Sequence, residues 1–150
     1  MRQDSAAFLD RSSDFHGAKG VVLLGDRLVA LLRDDRPGLP WAGSWDLPGG
    51  GREGRETPAE TFAREAREEV SLDLAGGEWL WGRPFASGTD PARRSWFFVV
   101  RLHGRPRVAL GDEGQGWALM TPPRFAALPR AVPFLRERVA LALEAGALPG

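Results

Sequence analysis

The chain of 150 residues has no cysteine, tyrosine, asparagine or isoleucine, a single lysine and two histidines. Without cysteine, disulfide bonds, thiolate metal ligands and cysteine nucleophiles are excluded. The two histidines, His16 and His103, lie far apart in the chain and are interpreted as surface or packing residues. A histidine-rich metal site is therefore not expected, and any metal would be held by oxygen ligands.

Charge and hydropathy narrow the class of protein further. Twenty basic residues balance twenty acidic ones, so the basic excess of a binder of bulk nucleic acid or membrane surfaces is missing. No apolar run approaches the roughly 18 residues of a membrane span. We expect a cytoplasmic protein acting on a small molecule, with residues 1–150 as one domain. Residues 1–16 show no clear hydrophobic period, so both an N-terminal arm and a short helix remain possible interpretations of this segment. No pattern in the sequence indicates an oligomeric state.

Hydrophobic runs and turn residues predict the order of elements. Two β-rich runs flank Gly25-Asp26 and predict a hairpin. Strand candidates lie at 45–47, 79–81, 96–100 and 116–120, the second and third being antiparallel neighbours, and the glycine triplet 49–51 predicts a turn. A short helix begins after Thr121 and an amphipathic helix covers 133–145. This order favours a mixed sheet flanked by helices, in an α+β or α/β sandwich.

The strongest helix signal follows the glycine triplet. Thr57 is suited to cap a helix, Pro58 to its first turn, and Glu60 to complete a capping box. One apolar face then repeats every four residues, at Phe62, Ala66 and Val70. The helix is expected to end near Val70 or Ser71.

Three carboxylates share a second face of this helix. Glu65, Glu68 and Glu69 stand at i, i+3 and i+4, and such like charges repel one another and the helix C-terminus. Arg64 and Arg67 compensate part of this charge, and a divalent cation would do so better. Oxygen ligands suit Mg²⁺ or Mn²⁺, which leave coordination positions for substrate phosphates and water. The pattern favours metal-assisted hydrolysis of a phosphate ester, with a merely solvated acidic face as the alternative.

Residues 50–72 resemble the Nudix box, in which Gly, Glu, Arg-Glu, Glu-Glu and Gly recur at fixed spacing. The matching positions are Gly50, Glu56, Arg64, Glu65, Glu68 and Glu69. Two positions depart from the pattern: Ser71 replaces the final glycine, and Ala66 is small for its apolar position. A serine there affects only the turn that leaves the helix, because glycine adopts a left-handed cap more easily. No ligand position is lost.

The resemblance implies a Nudix-type α/β/α sandwich with a mixed sheet and hydrolysis of a nucleoside diphosphate linked to another group. It also implies that Glu65, Glu68, Glu69 and the Gly49 carbonyl are metal ligands. By the same resemblance Glu56 binds metal through water or holds Arg64, whose guanidinium orients the helix through a bidentate pair.

A shorter resemblance lies downstream. Glu113-Gly114-Gln115, followed by Trp117, is similar to the segment that supplies a late glutamate in MutT-type nucleoside triphosphate pyrophosphohydrolases. Glu113 and Glu65 are both candidates for the general base that activates water. The alternative is a polar loop between strands, with Trp117 in the core.

Missing residue types favour one substrate class. The tyrosine typical of diadenosine polyphosphate hydrolases and the cysteine of isopentenyl diphosphate isomerases are absent, and Pro84 is out of register for the proline typical of ADP-ribose members. A nucleoside triphosphate, ordinary or oxidised, is expected to yield a monophosphate and pyrophosphate. ADP-ribose or a nucleotide sugar is the alternative. Candidate substrate contacts are Trp41 or Trp45 for stacking on a base, and Asp46, Asp112 or Gln115 for its edge.

Two non-enzymatic alternatives remain open at this point. A Nudix-fold sensor would bind a nucleotide without cleaving it, but has no need of the complete glutamate set. A structural domain would carry a solvated acidic helix that binds no metal. A metal titration separates the structural domain from both Nudix interpretations.

Overall fold

Strand β1 (Gly17–Leu24) is central to the sheet in the computed structural model, which describes residues 8–88 and 90–150. The other strands are β2 (Arg27–Leu32), β3 (Trp45–Asp46), β4 (Gly49–Gly51), β5 (Glu78–Ala86), β6 (Arg94–Leu102) and β7 (Gly116–Met120). The order along the sheet is β3-β2-β1-β6-β5, with β4 on β1 and β7 on β2. The β1–β6 pair is parallel and the other strand pairs of the described residues are antiparallel.

Three helices of the described residues accompany the sheet, namely α1 (Pro58–Val70), α2 (Pro122–Ala126) and α3 (Pro133–Glu144). The predicted capping box of α1 is confirmed: the Glu60 N–H donates to Thr57 Oγ1 at 3.1 Å and the Thr57 N–H donates to Glu60 Oε1 at 2.9 Å. Helix α2 starts as expected, although Thr121 makes no capping bond through its side chain.

The core lies on both faces of the sheet because alternate strand residues point to opposite sides. On one face, Phe98 and Val100 pack with Phe62 and the rest of the apolar side of α1. On the other face, Phe97 and Val99 join a second cluster with α2 and α3. The predicted mixed sheet with flanking helices is confirmed, as is the antiparallel pairing of β5 with β6.

One expectation, the turn at the glycine triplet, and one alternative, Trp117 in the core, are wrong. The glycine triplet is strand β4 rather than a turn, because it pairs with β1 through Gly17↔Gly51, Ala18↔Gly50 and Lys19↔Gly49. Residues without side chains allow this close backbone approach. Trp117 is 42% exposed rather than in the core, since β7 pairs only with β2 among the described residues.

The chain ahead of β1 contacts the core. Phe8 is buried against the α1 face, and Arg11 pairs with Glu60 on α1. Residues 1–7 of the expected arm or short helix lie outside the described residues. None of the helices in the described part of the chain is long and apolar enough to span a membrane.

Candidate active site

Strand β4 places its backbone against the acidic face of α1. The Gly49 N–H donates to Glu69 Oε1 at 2.7 Å. Gly49 has φ of 139°, and a Cβ there would lie 2.2 Å from the Ala18 carbonyl oxygen. Only glycine fits this position, so the glycine brings an N–H donor to the carboxylate.

Glu65 lies beside the next residue of β4. A Cβ on Gly50 would be 2.7 Å from the Glu65 carboxyl carbon, which shows how closely the carboxylate approaches the strand. Burial raises the pKa of Glu65, and burial raises the pKa of Glu69 to about 7. Both shifts mean that burial disfavours the charged form of these carboxylates, a cost that a bound cation would offset.

Arg64 holds the other side of the cluster together. Its guanidinium donates to Glu56 from Nε at 2.8 Å and from Nη2 at 3.2 Å, and to the Gly51 carbonyl at 2.7 Å. Nη1 donates to Glu65 at 3.0 Å and to Glu68 at 3.2 Å. Burial alone would raise the pKa of Glu56, but the hydrogen bonds from Arg64, the Glu53 N–H and Thr61, together with the charge of Arg64, outweigh burial and lower the pKa. Arg64 thus connects α1, β4 and the intervening loop.

The expected ligand residues suit a divalent cation by the type of their donor atoms, although these atoms are not arranged as a complete coordination shell. Among residues 8–88 and 90–150, no three carboxylate or histidine side chains already converge as a metal site. Glu68 is 56% exposed and paired with Arg64, and the Gly49 carbonyl accepts from Lys19 Nζ at 3.4 Å. Carboxylate and carbonyl oxygens are the donors that Mg²⁺ and Mn²⁺ prefer. The expected ligand set stays a prediction, which requires Arg64 and Lys19 to release Glu68 and the Gly49 carbonyl.

A charge triad centred on the buried Asp46, next to Gly49, was not predicted from the sequence. Lys19 Nζ donates to Asp46 Oδ1 at 3.0 Å, and Arg33 Nη1 donates to Asp46 Oδ2 at 2.9 Å. Burial alone would raise the pKa of Asp46, but the charge of Lys19 and the hydrogen bonds from Lys19, Arg33 and the Leu47 N–H together outweigh burial and lower the pKa. Both Asp46 oxygens are therefore engaged, which argues against Asp46 as a reader of the base. The one available signal was that Lys19 is the only lysine in the chain.

The loop before β7 is anchored to the last turn of α1. The Gly111 N–H donates to the Glu69 carbonyl at 3.0 Å, and Ser71 Oγ donates to the Ala109 carbonyl at 2.9 Å. Glu113 follows two residues later and is exposed. Gln115 is held at the end of β2, because its Nε2 donates to the Arg33 carbonyl at 2.8 Å. The base role of Glu113 and the substrate role of Gln115 stay predictions.

The structure distinguishes between the two tryptophans that are candidates for stacking on a base. Trp41 is 43% exposed and its ring lies 6.4 Å from that of Phe134 on α3, edge to face. Trp45 is partly buried against the apolar cluster under α3, and its backbone pairs with Ala131 and Val132. Trp41 therefore has ring surface to offer a base, whereas Trp45 contributes to packing.

Ser71 is expected to stabilise the chain through its hydroxyl. It has the left-handed φ of 62° that the family pattern assigns to glycine. We expect Ser71→Ala to lower the free energy of unfolding by about 0.5–1.5 kcal/mol, because it keeps the backbone cost and loses the bond to Ala109. Ser71→Gly should be closer to neutral, since glycine removes the backbone cost. Urea unfolding measures both, and an unchanged Ser71→Ala variant would exclude this role of the hydroxyl.

The raised pKa of Glu69 predicts a pH-dependent gain in stability for Glu69→Gln without metal. The unfolded chain loses this proton near the ordinary value of 4.5 and the folded chain near 7. Folding therefore becomes less favourable as pH rises between these values. Glutamine keeps Oε1 for the Gly49 N–H and avoids this loss. In the presence of chelator, the free energy of unfolding of the variant should match that of the wild type at about pH 4.5. At about pH 8 it should exceed the wild-type value by roughly 1–3 kcal/mol.

Urea unfolding at both pH values tests this expectation. Glu68→Gln is the control, since this side chain is more than half exposed and should change stability little at either pH. A Glu69→Gln effect of equal size at both pH values would mean that burial of the carboxylate is not its cause.

Comparison with known proteins identifies the family. A sequence model described as the NUDIX domain matches residues 14–142. The chain therefore belongs to the NUDIX family, whose members are the Nudix hydrolases that generally use divalent metal ions. The Nudix resemblance and the expected fold class are thereby confirmed.

Curated relatives match over part of their length. The chain is 35% identical over 92 residues to “Putative 8-oxo-dGTP diphosphatase 2” of Mycobacterium tuberculosis, covering 59% of this chain and 62% of that protein. It is 40% identical over 63 residues to “Putative 8-oxo-dGTP diphosphatase 3” of the same species, covering 38% of this chain and 28% of that protein. The chain thus spans less than two thirds of the length of both relatives.

Solved structures share the fold. The MutT protein of Methanosarcina mazei Go1 superposes with a TM-score of 0.70 at 18% identity, over 89% of this chain and 96% of that one. A bifunctional NMN adenylyltransferase/ADP ribose pyrophosphatase of Francisella tularensis, in complex with AMP and a Mn ion, superposes with a TM-score of 0.68 at 19% identity. The match covers 89% of this chain and 42% of that one. At these identities the likeness concerns the fold alone.

Proposed function

We propose that this chain is a Mg²⁺-dependent pyrophosphohydrolase that cleaves a nucleoside triphosphate, ordinary or oxidised, between the α and β phosphates. Water adds to phosphorus, the anhydride bond breaks, and a monophosphate, pyrophosphate and a proton are released. The observation that carries the proposal is the packing of Glu65 and Glu69 against the backbone of β4, with Arg64 linking Glu65 to Glu56. One domain over residues 1–150 and a cytoplasmic location belong to the same proposal.

The oxygen donors of the acidic cluster favour Mg²⁺ as the cation. Glu65, Glu68, Glu69 and the Gly49 carbonyl would hold Mg²⁺, or Mn²⁺ in its place, and Glu56 would act through water or through Arg64. When bound, the cation would stabilise charge on the phosphates and lower the pKa of water. Few protein oxygens and several substrate oxygens are typical of Mg²⁺ sites that serve phosphates.

The chain's own residues position the groups that take part in the reaction. Arg64 keeps β4 and the Glu56 loop against α1, and the Gly49 N–H keeps Glu69 in one orientation. Glu65 and Glu113 both remain candidates for the group that accepts the proton of the attacking water. Glu65 has the pKa raised by burial, as befits a base, while Glu113 lies on the loop fixed to the Glu69 carbonyl through Gly111.

The triphosphate is favoured by the names of the curated relatives and by the Glu113-Gly114-Gln115 segment. ADP-ribose or a nucleotide sugar is the second candidate, because a structural neighbour carries an ADP ribose pyrophosphatase activity in its name. A domain that binds nucleotide without cleaving it is a third possibility that activity measurements address directly.

The test compares kcat/KM for 8-oxo-dGTP, the ordinary nucleoside triphosphates, ADP-ribose and nucleotide sugars at one Mg²⁺ concentration. We expect a triphosphate to rank first, with monophosphate and pyrophosphate as products. If ADP-ribose or a sugar nucleotide exceeded every triphosphate by about tenfold, equal to about 1.4 kcal/mol in transition-state binding, the substrate assignment would be wrong. Absence of turnover with intact nucleotide binding would favour the non-catalytic domain.

A further inference from the structure

Lys19 lies directly across from Gly49 in the antiparallel β1–β4 pair. Its side chain stands over that glycine, because a Cβ on Gly49 would be only 2.5 Å from the Lys19 Cγ. The ammonium group donates to Asp46 Oδ1 at 3.0 Å, to the Leu47 carbonyl at 3.1 Å and to the Gly49 carbonyl at 3.4 Å. An ammonium group has three donors, so Lys19 is fully engaged by the segment that leads into β4.

Gly49 connects this ammonium group to the acidic face of α1. Its N–H donates to Glu69 Oε1 at 2.7 Å, while its carbonyl accepts from Lys19. Burial raises the pKa of Glu69, and the charge of Lys19 is the largest of the effects that oppose this rise. Lys19 therefore already acts as a cation on one carboxylate and on the carbonyl that the proposed metal ion would use.

The contact with Gly49 is the one that Lys19 can lose most easily. At 3.4 Å it is longer than an ordinary N–H···O bond, whereas the two other acceptors are closer. Asp46 is only 5% exposed and is fixed from both sides, since Oδ1 accepts from the Leu47 N–H at 2.7 Å and Oδ2 accepts from Arg33 at 2.9 Å. The ammonium group would thus remain beside the metal site after releasing the carbonyl.

Both states of Lys19 oppose a metal ion. While the ammonium group holds the Gly49 carbonyl, one expected ligand is occupied, and a site that is only partly available binds its ligand more weakly. After release, a positive charge still faces a divalent cation at close range, and like charges repel. Lys19 therefore lowers the affinity of the site for metal by competition and by charge.

We propose that Lys19 sets the metal affinity of the nucleotide-free protein, by competing with the divalent cation for the Gly49 carbonyl. The inference rests on the metal site of the proposed function and adds a residue that regulates its occupancy. Lys19 acts through Gly49, so it is a positioning residue rather than a catalytic one. Its removal should tighten metal binding, whereas damage to the fold would weaken it.

Mn²⁺ titration of the nucleotide-free full chain, followed by electron paramagnetic resonance, tests the inference with Lys19→Met. Methionine keeps an apolar stem of similar length, and Asp46 retains its bonds from Arg33 and the Leu47 N–H. We expect the variant to bind Mn²⁺ about tenfold more tightly than the wild type, because the competitor is gone.

Arg33→Met is the matched control. It removes the same charge from the other oxygen of Asp46, but Arg33 makes no hydrogen bond to Gly49 within the described part of the chain. The Mn²⁺ affinity of this variant should stay within about threefold of the wild type. An unchanged or weaker affinity in Lys19→Met, or equal tightening in both variants, would overturn the inference and leave the proposed function standing.

A measurement on the wild type covers the case in which Lys19→Met does not fold. Lys19 is the only lysine of the chain, so labelling lysine with ¹³C at Cε reports on this side chain alone. Mg²⁺ should shift its signal saturably, because the ammonium group loses the Gly49 carbonyl. A signal that stays in place at Mg²⁺ concentrations that displace Mn²⁺ from the site would overturn the inference.

The proposed function can fail separately. Tighter Mn²⁺ binding by Lys19→Met in a protein that hydrolyses no triphosphate would support the inference and refute only the assigned reaction. A wild type that binds no Mn²⁺ would overturn both, because Lys19 would then have no metal ion to compete with.

Discussion

Replacing Glu69 by glutamine is expected to lower kcat for the best triphosphate by at least about 10³-fold at saturating Mg²⁺, the scale of losing a charged contact to the transition state. The substitution removes one negative charge and keeps the acceptor for the Gly49 N–H. The backbone around β4 should therefore be retained. Glu68→Gln is expected to act in the same direction, because the proposed cation needs both carboxylates.

Steady-state kinetics combined with thermal unfolding check this expectation. The same Glu69→Gln variant should be more stable than the wild type without metal at high pH, so activity and stability change in opposite directions. That combination is the behaviour of a functional carboxylate held at a cost to the fold. Near-normal turnover in both Glu68→Gln and Glu69→Gln would remove these residues from the metal site.

Arg64→Lys is expected to lower kcat/KM by about 10- to 100-fold, the usual effect of losing a residue that orients ligands. The guanidinium bonds Glu56 through two nitrogens and the Gly51 carbonyl through one of them. An ammonium group keeps the charge but cannot reproduce this planar arrangement. Unfolding free energy should change much less than activity.

The control for this substitution lies on the same helix. Arg67→Lys changes an exposed arginine that pairs with Asp73, away from the glycine strand, and kcat/KM should remain within about twofold because such pairs contribute little. An Arg64→Lys variant with full activity would remove the orienting role. Equal losses for both substitutions would point to the helix charge rather than to the bonds of Arg64.

Local signals predicted the helix and the strand pairs well. The capping box at Thr57 and Glu60 depends on four consecutive residues, and it is formed as expected. The β5–β6 pair follows from two hydrophobic runs joined by turn residues. In each case neighbouring residues carry the information, so no knowledge of distant contacts was needed.

Contacts between segments that are distant in the chain could not be predicted from the sequence. The glycine triplet indicated a turn because glycine is flexible, yet its strand pairing depends on β1, which lies thirty residues earlier. The triad of Lys19, Arg33 and Asp46 joins three segments. Each feature arises from tertiary approach rather than from a local pattern.

The central claim is that the acidic face of α1 binds a divalent cation. A Mn²⁺ titration of the nucleotide-free protein, followed by electron paramagnetic resonance, tests it independently of any substrate. The account predicts saturable binding in the submillimolar range for the wild type, weakened at least about tenfold in Glu68→Gln and in Glu69→Gln and unchanged in Glu144→Gln, which carries its carboxylate on α3. Absence of saturable binding in the wild type, or equal affinity in all four proteins, would contradict it.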